Sequence, residues 1–291
     1  MKKHSAHRPR GFTLIEMVIA ILISGIIAVG VVTYIGDTIN GFVSSGDRNK
    51  LASSGRVVVD RIAMELHNAL PNSIRVTAAQ PNGDQCMEFI PFLGASSYQS
   101  APFTGLGGTT ITTVDFNPAL LMASGADDYA VIYPINTADL YDLDNRSAMS
   151  PLDSIVDTGG ADGIVTITLD ATHRFPRRSP VDRIYVAQQS VSFCVVGNLL
   201  YRYSNYGVEL TQCTPTTNSC DVASPLPDRR LPSALPDRVL ISDRLDNTGL
   251  SAFSLLAPTL RRNAIVSMEF NFTENNDVVR LKHEVLMRNV P

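Results

Sequence analysis

One carboxylate, Glu16, stands in an otherwise apolar run from Phe12 to Ile35, FTLIEMVIAILISGIIAVGVVTYI. A carboxylate within a membrane-spanning helix costs roughly 2.5–3.5 kcal/mol and is usually paired. Glu16 lies four residues into the run, so a cation at the membrane surface would satisfy it. An amine freed by cutting the chain just before Phe12 would sit at that depth. The plainer alternative is a carboxylate reaching the interface from the helix end.

Other reactive residue types are sparse. Cys86, Cys194, Cys213 and Cys220 lack the C-x-x-C spacing of a zinc site. In an oxidising compartment four cysteines form disulfides in one of three connectivities. Cys86–Cys194 would join two strands and Cys213–Cys220 would pin a Pro-rich loop; cysteines left free and buried are the other reading. Asp139, Asp142, Asp144 and Asn145 form one acidic cluster, and Asp153, Asp157 and Asp162 with Gly159 and Gly160 a second. Neither matches an EF-hand loop, and solvated polar loop is the expectation, with no metal. Arg174, Arg177 and Arg178 form the basic cluster of the body, suited to a subunit contact or to solvent. Of the five histidines, His67, His173 and His283 lie beyond the leader and neighbour no nucleophile or metal motif. G-x-S-x-G, H-E-x-x-H, Walker and G-x-G-x-x-G patterns are all missing, so no enzyme and no cofactor are expected.

The elements that must carry these residues follow from periodicity. As a helix, the Phe12–Ile35 run rises ~36 Å, enough for a hydrocarbon core of ~30 Å. It is too long for a signal peptide, and no small-residue cleavage site follows promptly. Lys2, Lys3, Arg8 and Arg10 precede it and predict a cytoplasmic N-terminus with a translocated body. Those four are part of 24 basic residues against 28 acidic ones in the chain, so the remainder is distinctly acidic. With charged residues at 18%, neither disorder nor a nucleic-acid partner is indicated.

Helical spacing continues through Leu51, Val58, Ile62, Leu66 and Leu70, and Pro71 ends it. Beyond Pro71 short or alternating apolar runs predict strands at 86–92, 110–116, 129–133, 164–169, 183–196, 199–203, 264–272 and 278–287. Gly197-Asn198 and Glu274-Asn275-Asn276-Asp277 read as hairpin turns. Segments 94–108, 139–163, 174–180 and the Pro-rich 214–236 read as loops. The expected fold is α+β: a long N-terminal helix packed against an antiparallel sheet. Its divisions are a leader at 1–11, a transmembrane half at 12–35, an amphipathic spine at 36–70 and a β-rich domain at 71–291.

Arg10-Gly11-Phe12-Thr13-Leu14-Ile15-Glu16, with the basic leader before it and the apolar helix after it, resembles the type III signal of type IV prepilins and pseudopilins. That resemblance implies cleavage by a prepilin peptidase after Gly11 and N-methylation of Phe12. It implies that Glu16 neutralises the N-terminus of a neighbouring subunit during assembly. It further implies a type IV pilin-like fold, other pilin subunits and an inner-membrane assembly platform as partners beside the lipid bilayer, and a periplasmic body bound for a fibre. Two features bear on the likeness. Thr33 stands where many pilins carry a helix-breaking proline, with Gly25, Gly30 and Gly36 as sources of flexibility instead. Glu16 is retained, whereas the tip-most minor pseudopilins often lack it.

Within the body, His173-Arg174-Phe175-Pro176, Ser179-Pro180, Arg183-Ile184-Tyr185-Val186-Ala187, Val191-Ser192-Phe193-Cys194 and Leu200-Tyr201-Arg202-Tyr203 are similar to the MshO-like prepilins of mannose-sensitive haemagglutinin (MSHA) pilus biogenesis, as is the closing Val285–Pro291 stretch. The implied function is that of a minor pilin-like subunit. A minor pseudopilin of type II secretion, an adhesin using the 94–108 and 139–163 loops, and a signal-anchored envelope enzyme are its rivals.

Overall fold

The computed structural model describes residues 12–125, 127–144, 146–157, 163–215, 231–233, 235–257, 264–275 and 277–287. The chain divides into two units, residues 1–50 and 51–291. Helix α1 (Leu14–His67) is unbroken over 54 residues, about 81 Å at 1.5 Å per residue. It runs through Gly25, Gly30 and Gly36, so these glycines introduce no break. In the first unit the large apolar side chains from Phe12 to Val43 are exposed. Thr33 and Thr38 hydroxyls donate to the carbonyls of Val29 and Tyr34, which satisfies them within the helix itself.

In the second unit, α1 buries Leu51, Val58, Val59, Ile62, Ala63 and Leu66 along one stripe. Gly55 belongs to that stripe for a steric reason: a Cβ there would lie 2.6 Å from Leu281 and 2.8 Å from Phe272. After α1 come β1 (Arg75–Val76) and β2 (Gln85–Phe89). The chain then makes β3 (Phe92–Ser100), β4 (Gly108–Val114), β5 (Asp128–Val131), the single turn α2 (Ala138–Tyr141), β6 (Met149–Asp157), β7 (Ile164–His173) and β8 (Arg183–Ala187). It returns through β9 (Val191–Val196), β10 (Leu199–Tyr203), β11 (Arg238–Ser242), β12 (Phe253–Leu256), β13 (Ile265–Glu274) and β14 (Asp277–Leu286).

These strands make three antiparallel structures. A five-stranded sheet runs β1-β2-β9-β10-β11, and a three-stranded sheet runs β12-β13-β14. The six strands β3-β4-β7-β6-β5-β8 close into a barrel. Met87, Phe89, Phe193 and Val195 of the five-stranded sheet share one core with the α1 stripe and with Val266, Met268, Phe270 and Phe272. The barrel has its own core around Ile111, Phe116, Ile155, Ile167, Ile184 and Val186.

The α+β expectation and both hairpins agree with this fold: Val196 pairs with Leu199, and Glu274 with Asp277. The single sheet does not. The barrel is inserted between β2 and β9, which are themselves neighbours, paired from Gln85↔Val195 to Phe89↔Val191. Two expected loops are strands of that barrel. The first half of segment 94–108 is β3, disguised there by its small residues, and only 101–107 is loop; Gly94 lets the Phe116 ring approach to within 3.1 Å of where a Cβ would stand. Segment 139–163 contains α2 and β6, where Pro151 breaks the usual strand signature. The expected strand 183–196 is really β8 and β9, one in the barrel and one in the sheet. Short β1, β11 and β12 lay outside the expected set. Part of the Pro-rich 214–236 segment lies outside the described residues.

Candidate functional site

At the start of α1, the residues singled out by the sequence form a closed local unit. The Glu16 carboxylate accepts from the Thr13 backbone N–H at 3.1 Å and from the Thr13 hydroxyl at 3.1 Å. The Glu16 N–H in turn donates to the Thr13 hydroxyl oxygen at 3.3 Å. This is a capping box of the T-x-x-E kind, in which side chains take up backbone donors that the helix leaves orphaned. The positive end of the helix dipole also favours a carboxylate in the first turn. Sequence reasoning assigned Glu16 a partner in another chain and missed this one, although Thr13-Leu14-Ile15-Glu16 carries the signal. Phe12 is 87% exposed. Gly11 and the leader lie outside the described residues. The α1 helix is long and apolar enough to cross a membrane.

The body's most unusual polar group is one the sequence did not flag. Glu88, on β2, is completely buried and pairs with Arg75 Nε at 2.7 Å. The Tyr206 hydroxyl donates to Glu88 at 3.2 Å and lies 2.7 Å from the Ser192 hydroxyl. Arg75 also donates to the carbonyls of Leu210 and Glu209, both at 2.7 Å, and stacks 3.6 Å over the Tyr141 ring. Burial pushes the Glu88 carboxyl up, with Arg75 opposing. The Tyr141 and Tyr206 phenols are pushed well up, by burial first and by the neighbouring Glu88 second. One guanidinium thereby ties together β2, the α2 turn of the barrel insert and the 209–210 segment.

The other expected residues fall as follows. Cys86 and Cys194 stand opposite each other in register on β2 and β9 and are joined by a disulfide. Cys213 is buried and disulfide-bonded; Cys220 lies outside the described residues. Among the described residues no three acidic, histidine or cysteine side chains come together as a group that could hold a metal. Asp139 accepts from the Ile135 N–H and pairs with Arg177 at 3.2 Å. Asp144 accepts from the Arg146 N–H, and Asp153 from the Ser124 hydroxyl and Gly125 N–H. The Ser124 hydroxyl holds the Asp153 carboxyl below its ordinary range. Asn145, Gly159, Gly160 and Asp162 lie outside the described residues. His67 and His283 are exposed. His173 is buried, 2.9 Å from the Ser147 carbonyl and edge-on to Phe175, and burial lowers its pKa.

Two clefts flank the barrel insert. One, of about 640 Å³, is lined by Ala69, Pro71, Phe92, Ala95 and Tyr185 among others and is mainly apolar. The other, of about 580 Å³, sits where the chain passes between sheet and barrel and presents Asp127, Asp128, Gln188, Arg202, Ser204 and Asn205.

Neither a curated protein nor a solved structure matches the chain. Residues 7–32, however, match the family described as the prokaryotic N-terminal methylation motif. This stretch contains Gly11, Phe12 and the Thr13–Glu16 box. The match supports a type IV prepilin-like N-terminus, and the apolar helix that continues it is long enough to anchor the chain in a membrane.

Proposed function

We propose that the chain is a minor pilin-like subunit of a type IV pilus of the MSHA kind. Prepilin peptidase removes residues 1–11 by cutting between Gly11 and Phe12, and the new Phe12 amine is methylated. The apolar half of α1 stores the subunit in the inner membrane with its body in the periplasm. The assembly platform then moves it into the fibre, or into the complex that initiates the fibre, beside other pilin subunits. The observation that carries this reading is the methylation-motif match over residues 7–32, continuous with an exposed apolar helix.

Glu16 has a defined part in this scheme. Its carboxylate caps its own helix through Thr13. A carboxylate offers about four lone-pair positions, so it can keep that bond while accepting from the methylated amine of a neighbour. Charge neutralisation in a low-dielectric setting then supplies register between subunits. The inserted barrel, with its two clefts, favours a second reading in which the subunit also serves as a pilus-associated binding module.

The decisive experiment is the intact mass of the protein co-expressed with a prepilin peptidase, beside a Gly11→Ala control. Loss of residues 1–11 with one added methyl group, absent from the control, is the expected result. An intact leader in both samples would overturn the proposal.

A further inference from the structure

One exposed apolar side chain of the body stands on a backbone built to hold it. Leu106 is 97% exposed, which forfeits the 1.5–3 kcal/mol or so that burying such a side chain yields. Its turn is rigid. Gly105 and Gly107 have φ of +65° and +93°, and a Cβ on Gly107 would meet the His173 carbonyl oxygen at 2.4 Å. Phe175 N–H donates to the Pro102 carbonyl at 3.0 Å, and an Arg174 guanidinium N–H to the Gly105 carbonyl at 3.4 Å. Arg178 lies 4.6 Å over the Phe103 ring on the same rim. Arg177 is already paired with Asp139; Arg174 and Arg178 have no carboxylate at ion-pair distance among the described residues. An exposed leucine on a turn held by Arg174, with Arg178 on the same rim, is the form of an interface anchor.

The complementary chemistry is on the same chain. The polar cleft beside β5 presents Asp127 and Asp128. Its one cation, Arg202, is spent on both Glu65 oxygens at 3.0 and 2.8 Å. Burial, and then its neighbour Asp127, raise the Asp128 carboxyl above its ordinary value. The acidic cleft lacks a free cation, and the basic rim lacks a carboxylate for Arg174 and Arg178.

We infer that the Leu106–Arg178 rim of one copy docks on the Asp127–Asp128 cleft of a second copy. The contact is heterologous, joining different surfaces on the two copies, so it need not close into a symmetric pair. It rests on the assembly reading above, for which it supplies a contact made by the bodies rather than by the helices. Guanidinium suits a paired-carboxylate cleft because its planar fork matches carboxylate geometry.

The test is photo-crosslinking in membranes of cells expressing the full-length chain, with benzoylphenylalanine in place of Leu106. The expected result is a homodimer whose crosslink maps near Asp127 and Asp128. Arg178→Glu and Asp128→Arg should each lower its yield about tenfold, and the chain carrying both changes should recover it. Arg178→Lys, which keeps the charge, guards against a folding artefact. Crosslinking to a different protein, no crosslink, or a yield unchanged by Arg178→Glu would overturn the inference. Processing at Gly11 is scored on the same samples, so a processed subunit without the crosslink refutes this contact alone.

Discussion

Glu16 and Glu88 are both carboxylates among apolar neighbours, and the two regions that hold them solve the problem in different ways. Glu16 sits in a helix whose apolar side chains are exposed, and its partner is three residues away. Glu88 sits in a water-excluded core, and its partners come from 13 and 118 residues away. The local solution needs only helix geometry and leaves lone pairs for another subunit. The distant solution needs the whole body to be folded and gives each Glu88 oxygen a partner fixed within it. An N-terminal carboxylate available to neighbours suits assembly; an internal one committed to Arg75 and Tyr206 suits a body that keeps one arrangement.

This contrast can be broken most severely at Arg75. Arg75→Ala would leave Glu88 buried without its cation, which costs about 3–5 kcal/mol. Urea unfolding of the full-length protein in detergent should show that loss, and the double change Arg75→Met with Glu88→Leu should restore most of it. If Arg75→Ala leaves the midpoint unmoved, the node is not what joins the barrel insert to the sheet.

Next in size is the disulfide. Cys86→Ser with Cys194→Ser removes a bridge spanning 108 residues, and a loss of about 2–4 kcal/mol is expected. It should appear in the same unfolding assay under oxidising conditions and vanish in reductant. Both experiments disturb the β2–β9 pair, which closes the sheet behind the inserted barrel.

On the other side of the comparison, Thr13→Ala removes the hydroxyl partner of Glu16 and should cost the helix about 1 kcal/mol. Its incorporation into fibres should fall less than that of Glu16→Ala, which loses cap and assembly carboxylate together while cleavage stays intact. Equal incorporation of Glu16→Ala and the unaltered chain would remove Glu16 from assembly.

The smallest effect concerns His173. Burial lowers its pKa in the folded protein below the ordinary 6.5. The unfolded chain then binds the proton that the folded one resists. Stability from this site is complete above pH 6.5 and is lost as pH falls from there towards the depressed folded value. His173→Gln should flatten that part of the stability–pH curve; an unchanged slope would show that another group titrates there.

The fold was partly legible. The α1 stripe and the β13–β14 hairpin could be read because their periods, near four and two residues, are written in neighbouring side chains. β13 alternates buried Val266, Met268, Phe270 and Phe272 with half-buried partners. β5 and β8 lack such alternation because both of their faces are covered: Ala130 and Val186 face the barrel core, while Tyr129, Val131, Tyr185 and Ala187 belong to a second cluster with Leu70 and Tyr141. Of the barrel, β4, β5, β7 and β8 fall on expected strands, whereas β3, with Gly, Ala and Ser at its centre, and β6, with its proline, do not. Of the site, the Thr13–Glu16 spacing is local and readable, whereas nothing adjacent to Arg75 or Glu88 in sequence marks them as a buried pair.

What the sequence alone determined is what depends on short range: the apolar length of α1, its basic leader, the R-G-F-T-L-I-E string and the helix cap at Thr13. Hydrophobic length and capping are properties of adjacent residues and need no tertiary contact. Only the tertiary structure decided that β2 and β9 flank an inserted barrel, that Cys86 faces Cys194, and that Glu88 is buried beneath Arg75. Those outcomes depend on which distant strands pair and which faces are covered. Pairing of that kind is set by the summed burial of the whole body, which no local window of residues contains.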